Sequence, residues 1–258
     1  MKLHFNINDK AIRLFIILAA FFIANVFIAE FVGVKIFSLE STIGIKKFSF
    51  SFFGKDNLGF DLTAGVLLWP IVFIMSDIIN EYFGKRGVKL LSYLAAILIA
   101  YAFIMFYGAM KLPAADWWPT SNIQRGVPDM NNAFKGVFGQ GQWIIIGSIV
   151  AFLIGQILDV AVFHSIKLRT GEKFLWLRAT GSTLISQFVD SFVVLFIAFY
   201  IGNNWDWRLV LAIGTMNYIY KFTVAVLLTP ALYLVHRLID NYLGKELSEH
   251  LMEEAAKQ

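Results

Sequence analysis

The amino-acid sequence predicts an all-α integral membrane protein with six transmembrane helices and both termini in the cytoplasm. Of its 258 residues, 58% are hydrophobic and only 16% are charged, whereas soluble domains carry about 25% charged residues. Six long apolar stretches account for most of the chain. They comprise residues 11–34, 62–83, 88–111, 142–165, 178–201 and 208–236.

Each apolar stretch is long enough to cross a hydrocarbon core about 30 Å thick at about 1.5 Å per residue. The first stretch is too long for the core of a signal peptide and lacks a small-residue cleavage pattern, so we expect it to be retained. We therefore treat residues 1–258 as one transmembrane domain. Its residues 244–258 are polar and helix-prone, which predicts a solvated cytoplasmic tail.

Three connections between the stretches have recognisable patterns. The second and third stretches are joined by Gly84-Lys85-Arg86-Gly87, which predicts a tight helical hairpin. In the first outer loop, phenylalanine and serine alternate over residues 48–52 before a turn at residues 54–57, which predicts a small β-hairpin at the membrane surface. Residues 112–141 contain three of the five prolines, and both a cover over an outward-facing cavity and an ordinary interfacial loop are consistent with them.

The distribution of basic residues predicts the orientation. With both termini inside, the inner segments hold thirteen lysines and arginines and the outer segments hold eight. Cytoplasmic loops carry the excess of basic residues in most membrane proteins. Tryptophans are enriched at membrane interfaces, and five of them fall at the predicted outer interface: Trp117, Trp118, Trp143, Trp205 and Trp207.

Ionisable and amide side chains recur inside the apolar stretches, where a charge at a helix centre costs about 2.5–3.5 kcal/mol on insertion scales. In four stretches an amide lies three or four residues from a charge, so the two share one helix face. We expect these faces to surround a polar chamber instead of contacting lipid. The residues are Asp77, Asn80 and Glu81; Gln156 and Asp159; Gln187 and Asp190; Asn217 and Lys221.

A structural role is the alternative for some of these residues. Polar contacts between membrane helices contribute about 0.6 kcal/mol on average. An ion pair of Glu81 with Lys85 or Arg86, and of Glu30 with Lys35, explains those two glutamates equally well. For Asp77, Asp159, Asp190 and Lys221 together, the functional interpretation is favoured. Because the carboxylates outnumber Lys221, we also expect one of the aspartates to titrate and to couple transport to protons.

A chamber of carboxylates and amides suits a small, flat solute with several N–H donors and a carbonyl group. A carboxylate accepts two parallel N–H bonds, and an amide both donates and accepts. Trp69 and Tyr218 provide rings that stack on such a solute.

Several motifs resemble the queuosine precursor transporter family, also described as a vitamin-uptake family. They are Thr63-Ala64-Gly65-Val66-Leu67, Ser76-Asp77-Ile78-Ile79-Asn80-Glu81-Tyr82-Phe83-Gly84, Gly155-Gln156-Ile157-Leu158-Asp159, Ser186-Gln187-Phe188-Val189-Asp190 and Asn217-Tyr218-Ile219-Tyr220-Lys221. The resemblance extends from Ala20 to about His236. It implies a six-helix protein of the bacterial inner membrane, similar in fold to the substrate-binding components of energy-coupling-factor vitamin transporters.

The resemblance also implies the substrates, which are precursors for tRNA modification. They are 7-cyano-7-deazaguanine, 7-aminomethyl-7-deazaguanine and, in some branches, queuine. The long segment 112–141 and the predicted hairpin depart from the shorter members, so the choice among these substrates stays open.

The sequence distinguishes among three classes of function. An ion-coupled secondary transporter working by alternating access is favoured. A substrate-capture subunit that needs a separate energy-coupling partner is the alternative, because the small residues Ala20 and Ala24 permit close helix contact; a homodimer is also open. An intramembrane enzyme is disfavoured, because the sequence has no Gly-x-Gly-Asp or His-Glu-x-x-His motif. We expect no cofactor, no metal site and, without a basic stripe with interleaved aromatics, no nucleic-acid partner.

Overall fold

The computed structural model describes residues 9–139, 142–170 and 174–258. Most of these residues are helical, and five helical segments among them are long and apolar enough to cross a membrane. The prediction of a helical membrane protein is confirmed at this level. The helices within these segments are α1 (Lys10–Val32), α3 (Trp69–Lys111), α5 (Gln142–Thr170), α6 (Leu175–Leu195) and α7 (Trp207–Leu243).

Helix α3 is 43 residues long, about twice what one membrane crossing needs, and it is broken at Gly84. The arm before the break ends at Phe83, which packs against Phe15 near the start of α1 with ring centroids 5.0 Å apart. The arm after the break returns to the end of α1, where Phe106 lies 5.2 Å from Phe31. A single residue with φ 71° and ψ 178° thus replaces the predicted loop between two helices.

The first arm begins at Trp69 and not at the predicted Leu62. Residues Asp61–Thr63 form strand β4, which pairs antiparallel with β1 (Ile36–Ser38), and a 3₁₀ turn at Ala64–Leu67 follows. Pro70 then favours a helix start, because the first helical turn needs no backbone N–H donor there. Hydropathy includes this stretch in the second apolar run, but strand pairing with a distant segment determines its backbone.

The segment between α1 and α3 contains a short helix and two more strands. Strand β2 (Phe50–Phe52) pairs antiparallel with β3 (Lys55–Leu58). The turn at Phe53 and Gly54 has positive φ angles of 52° and 74°. Helix α2 (Leu39–Thr42) carries the fully buried Glu40.

Buried apolar side chains join α1, both arms of α3 and α5 into one core. Helix α5 packs along α6, and α6 packs along α7. A further helix, α4 (Met130–Phe138), lies in the connection before α5, where Phe138 packs on Phe106 of α3 at 4.7 Å between ring centroids. The core residues that are fully buried include Phe22, Val26, Val72, Ile79, Ala95, Ile99 and Phe152.

The C-terminal helix α8 (Lys245–Ala256) packs against α3 and is not simply a solvated tail. Its residues Leu247 and Leu251 lie four apart on one face and contact the apolar core. Beyond the helix, the side chain of Gln258 accepts a hydrogen bond from the backbone N–H of Arg86 at 3.2 Å. The tail therefore packs against the end of the bundle at which α3 is broken.

Candidate functional site

A cavity of about 490 Å³ lies among α1, α3, α5, α6 and α7. Its volume falls within the range of about 300–1,000 Å³ typical of small-molecule sites. Gly136 of α4, the nearby Gly139, Ile36 of β1 and Thr63 of β4 complete the wall. Residues from the segment 112–141 therefore do border a cavity, as one of the two interpretations of that segment expected.

The cavity lies at the end of the bundle opposite to α8. Trp69 is the first residue of α3, and Ile144 lies in the first turn of α5. Glu30 lies near the last turn of α1, and Phe199 follows α6. All four border the cavity, so its wall is built where the helices meet the longer connecting segments.

The cavity wall contains two carboxylates and one ammonium group among the described residues. Lys221 of α7 donates to Oδ2 of Asp190 on α6 across 2.5 Å, and both side chains are buried. The second carboxylate is Glu30 of α1, to which Ser148 of α5 donates at 2.5 Å. The sequence indicates Glu30 only as a partner for Lys35, and an acidic residue inside an apolar stretch is the one local feature that points to the cavity.

Polar and aromatic groups supplement these charges. Asn217, one helical turn before Lys221, also lines the cavity. Ser191 Oγ borders it as well and is buried without a hydrogen-bond partner in the described ranges. Trp69 contributes an indole ring that is tilted against Phe152 at 5.7 Å between ring centroids. The cavity thus offers an aromatic surface beside hydrogen-bond donors and acceptors.

A second polar cluster, the carboxyl pair of Asp77 and Asp159, lies outside this wall. Both residues are buried, and their carboxyl groups are within hydrogen-bonding reach of each other. Hydroxyl groups also form hydrogen bonds with both aspartates. Ser182 (3.4 Å) and Thr183 (3.2 Å) donate to Asp77, and Ser76 (3.2 Å) and Ser186 (3.1 Å) donate to Asp159.

A third cluster, the ion triad, joins Glu81, Arg178 and Lys167. Arg178 binds the Glu81 carboxylate through Nη2 at 2.7 Å and Nε at 3.1 Å, and Lys167 Nζ lies 3.1 Å from Oε1. All three side chains are buried, and the Arg178 guanidinium lies 5.8 Å from the centre of the Phe163 ring. Glu81 therefore links α3 to α5 and α6, and these partners replace the predicted Lys85 or Arg86.

The remaining predicted site residues also lie outside the cavity wall. Gln156 accepts a hydrogen bond from Ser92 at 3.4 Å. Tyr218 packs edge-on against Phe188 at 5.2 Å between ring centroids. The structure thus divides the predicted chamber. Trp69, Asp190, Asn217 and Lys221 line the cavity, whereas Asp77, Asn80, Glu81, Gln156, Asp159, Gln187 and Tyr218 do not.

Comparison with known proteins identifies the family. Residues 63–235, more than half of the chain, match the sequence profile of a family described as "Putative vitamin uptake transporter". The chain belongs to this family. The resemblance expected from the motifs is thereby confirmed. The matched residues include the carboxyl pair, the ion triad and the Asp190–Lys221 pair, whereas Glu30 lies before them.

Three relatives of this chain carry names that are more specific than the description of the family. A "Probable queuosine precursor transporter" of Bacillus subtilis (strain 168) is 29% identical over 71% of this chain and 75% of its own. The "Queuosine precursor transporter" of Escherichia coli (strain K12) is 27% identical over 74% and 79%, respectively. A "Probable queuosine precursor transporter" of Haemophilus influenzae (strain ATCC 51907 / DSM 11121 / KW20 / Rd) is 24% identical over 69% of each chain. No solved structure matches the chain.

One face of α6 connects the three clusters. Arg178, Ser182, Ser186 and Asp190 recur every four residues along this buried face. At about 1.5 Å per residue, Arg178 and Asp190 lie about 18 Å apart along the helix. The ion triad, the carboxyl pair and the cavity therefore follow one another along the bundle as a continuous polar stripe.

Proposed function

We propose that this protein imports queuosine precursors, namely 7-cyano-7-deazaguanine, 7-aminomethyl-7-deazaguanine or queuine, across the bacterial inner membrane. The observation that carries the proposal is the cavity whose wall contains Trp69, Asn217 and the Asp190–Lys221 ion pair. The names of the three relatives support the same class of substrate.

The chemistry of the wall suits a deazaguanine base. Its guanine-type edge presents N1–H and an exocyclic amine, which a carboxylate such as Asp190 accepts as parallel bonds. The ring carbonyl accepts from an ammonium or amide donor, and Lys221 and Asn217 supply one of each. Trp69 stacks on the ring face. The cavity wall thus offers a hydrogen-bonding partner for N1–H, for the exocyclic amine and for the ring carbonyl.

Transport proceeds by alternating access in this proposal. Six crossings, with each arm of α3 counted as one, put the two termini on the same side of the membrane, and the excess of basic residues in the segments on that side favours the cytoplasm. The cavity then faces outward, and the ion triad closes the inner end of the polar stripe. Release to the cytoplasm requires Arg178 and Lys167 to separate from Glu81. A fold like that of energy-coupling-factor substrate-binding components is part of the same proposal.

The carboxyl pair supplies the coupling proton in this scheme. Two carboxyl groups in contact in a medium of low dielectric share a proton, because adjacent negative charges are strongly disfavoured there. Asp77 and Asp159 lie between the cavity and the triad, so their proton can respond to opening at either end. Uptake should then depend on the proton gradient and be lost in Asp77→Asn. Uptake that ignores a protonophore would contradict this step.

The transport proposal is tested in cells that cannot make deazaguanines but can insert them into tRNA. The intact protein should restore queuosine in tRNA when 7-cyano- or 7-aminomethyl-7-deazaguanine is supplied at low concentration. Asp190→Asn should abolish rescue although the protein still reaches the membrane, because an amide donor then faces the N–H groups of the base. Glu253→Gln, an exposed change on α8, is the matched control. No rescue by the intact protein with any deazaguanine would refute the proposed substrates.

A substrate-capture subunit is the second candidate. Ala20 and Ala24 are exposed on the surface of α1, where small residues permit close contact with another membrane helix. Uptake of labelled deazaguanine into liposomes that contain only this chain distinguishes the two functions. Uptake by the single chain supports the transporter, whereas binding without uptake supports the subunit.

A further inference from the structure

Gln187 of α6 is buried, and its side-chain amide forms no hydrogen bond within the described residues. The residue is 2% exposed, and neither Nε2 nor Oε1 has a partner there. Burying an amide without compensating hydrogen bonds destabilises a folded protein. Native structures therefore contain few such groups, and each of them calls for an explanation. In Gln187, both amide atoms are available to a ligand.

Gln187 lies one helical turn deeper in the bundle than the cavity wall. Asp190 and Ser191 of α6 border the cavity, and Gln187 precedes them by three and four residues. Successive residues are rotated by about 100° around a helix, so Gln187 falls between these two residues on the helix projection and about 5 Å further along the axis. It thus continues the cavity-lining side of α6 toward the ion triad.

The polar groups next to Gln187 connect it to both the cavity and the carboxyl pair. Ser191 Oγ is likewise buried without a hydrogen bond among residues 9–139, 142–170 and 174–258. Ser186, the neighbour of Gln187 in sequence, donates to Asp159 at 3.1 Å. From the cavity inward, α6 therefore presents an unpartnered hydroxyl, an unpartnered amide and then the carboxyl pair.

We propose that Gln187 binds the substrate after it leaves the cavity, with both amide atoms hydrogen-bonded to one edge of the base. The inference rests on the proposed function and adds a substrate-binding residue to it. A side-chain amide presents a donor at Nε2 beside an acceptor at Oε1. The matching ligand edge is a lactam, in which a ring N–H adjoins a carbonyl group, and a 7-deazaguanine has such an edge.

Binding at this level supplies two hydrogen bonds that the empty protein lacks. In the cavity, Asp190 accepts from the N1–H of the base, and one turn deeper Oε1 of Gln187 takes over this role while Nε2 donates to the ring carbonyl. Gln187 lies at the height of Ser186 and hence near Asp159. The base therefore approaches the carboxyl pair in the same step in which it leaves the cavity.

The first test is Gln187→Met, which keeps the length of the side chain but removes the amide. In cells that cannot make deazaguanines, the initial rate of uptake of labelled 7-aminomethyl-7-deazaguanine should fall about tenfold or more, because two hydrogen bonds to the base are lost. The dissociation constant of the purified full-length protein in lipid nanodiscs should stay the same, because Gln187 does not border the cavity.

Thermal unfolding of the same variant excludes a general loss of structure. The melting temperature of Gln187→Met should be unchanged or higher, because the replaced amide has no hydrogen bond to lose in the part of the protein described. Gln124→Met makes the same chemical change at an exposed position of the 3₁₀ turn Ile123–Arg125. This control should leave uptake, affinity and melting temperature unchanged.

Gln187→Asn distinguishes a hydrogen-bonding role from a packing role. Asparagine keeps the amide but is one methylene shorter, whereas methionine fills the space but has no amide. If Gln187 binds the base, uptake should be faster in Gln187→Asn than in Gln187→Met. If Gln187 only fills space between the helices, the order should be reversed, because the shorter side chain leaves a cavity.

Three results would overturn the inference while the proposed function stands. They are uptake by Gln187→Met at the rate of the intact protein, uptake by Gln187→Met at least as fast as by Gln187→Asn, and a lower melting temperature in Gln187→Met. Absence of uptake of any deazaguanine by the intact protein would refute the proposed function itself and the inference with it.

Discussion

The buried carboxylates along the polar stripe of α6 differ in their partners. Glu81 has two cations, Asp190 has one, and Asp77 and Asp159 contact hydroxyl groups and each other. Removing one partner of a buried ion pair leaves an uncompensated charge, which is more costly than losing the pair as a whole. The three clusters should therefore respond differently to substitution of a single carboxylate.

At Trp69, replacement tests the stacking surface. Trp69→Ala should weaken deazaguanine binding about tenfold to a hundredfold, because stacking of a base on an aromatic side chain contributes about 1–3 kcal/mol. Trp69→Phe should retain most of the affinity. Trp176→Ala, which removes a half-exposed indole at the other end of the bundle, is the control in the same binding assay. Equal losses of deazaguanine affinity in Trp69→Ala and Trp176→Ala would argue against stacking in the cavity.

Glu81→Gln tests the ion triad. The substitution removes the Glu81 carboxylate from its buried ion pairs with Arg178 and Lys167, and we expect a loss of about 3–5 kcal/mol in the free energy of unfolding. Thermal unfolding in detergent is the measurement. Glu254→Gln makes the same chemical change at an exposed position of α8. A melting temperature for Glu81→Gln equal to that of Glu254→Gln would show that the triad contributes little to stability.

At the scale of secondary-structure elements, the stability of α3 depends on hydrogen bonds to the backbone at its break. Ending one helix and starting another leaves backbone groups without partners. Gln258 satisfies one on each side, because its Nε2 donates to the carbonyl of Phe83 at 3.4 Å and its Oε1 accepts from Arg86 N–H at 3.2 Å. Gln258 thus stabilises the point at which α3 changes direction.

Gly84→Ala should destabilise this joint. The φ and ψ angles of Gly84 lie in a region that is essentially restricted to glycine, at a cost of about 1–3 kcal/mol for other residues. A Cβ atom would also lie 2.5 Å from Gln258 Oε1. The melting temperature should fall in Gly84→Ala and change little in Gly108→Ala, whose Cβ meets open space. Full recovery in Gly84→Ala/Gln258→Ala would show that the contact, and not backbone strain, is responsible.

We expect Glu40 to make the segment between α1 and α3 sensitive to acid. Burial alone would raise the pKa of this carboxyl, but hydrogen bonds from the backbone N–H groups of Phe60, Glu40 and Phe48 and from Ser38 hold the pKa below its usual value of 4.5. A lowered pKa in the folded state means that the carboxylate stabilises the segment above about pH 4.5, and that this contribution is lost as the pH falls through the lowered value.

Hydrogen–deuterium exchange of peptides covering residues 36–63, corrected for the intrinsic effect of pH, measures the response. In the intact protein, the protection of these backbone amides from exchange should decrease at strongly acidic pH. In Glu40→Gln, which cannot ionise, protection should be lower at neutral pH and should change little on acidification. A variant with the same pH dependence as the intact protein would exclude Glu40 as the cause.

At the scale of the whole molecule, the polar stripe along α6 runs from the cavity, which the longer connections border, to the ion triad. The cavity and the C-terminal helix α8 lie at opposite ends of the bundle. Alternating access therefore needs the connecting segments and α8 to face different compartments, and this depends on the number of crossings.

The absence of native cysteines makes the topology directly measurable. With six crossings, Asn57→Cys in strand β3 should react with a membrane-impermeant maleimide only from outside. Glu253→Cys on α8 should react only from inside, because an even number of crossings separates it from the N-terminus. Labelling of both cysteines from the same side would indicate an odd number of crossings and contradict the proposed orientation.

The sequence alone determined the membrane class, most of the helical stretches and the family. Hydropathy and helical periodicity are local properties, so they also identified the faces that carry Asp77, Asp159, Asp190 and Lys221. Periodicity does not determine at which height along the helix axis a polar side chain contacts the neighbouring helices. Only the tertiary structure separated the carboxyl pair from the cavity, because residues on one face of a helix differ in height by about 1.5 Å per position.

The tertiary structure also decided the partners of individual side chains. Glu81 binds Arg178 and Lys167, which are 97 and 86 residues away in the sequence, and no local pattern encodes such a contact. Glu30 became part of the cavity because α1 packs beside α3 and α5. Thr63 became part of a strand because Ile36 pairs with it. Packing between distant segments, which depends on the shapes of all the helices together, produced each of these outcomes.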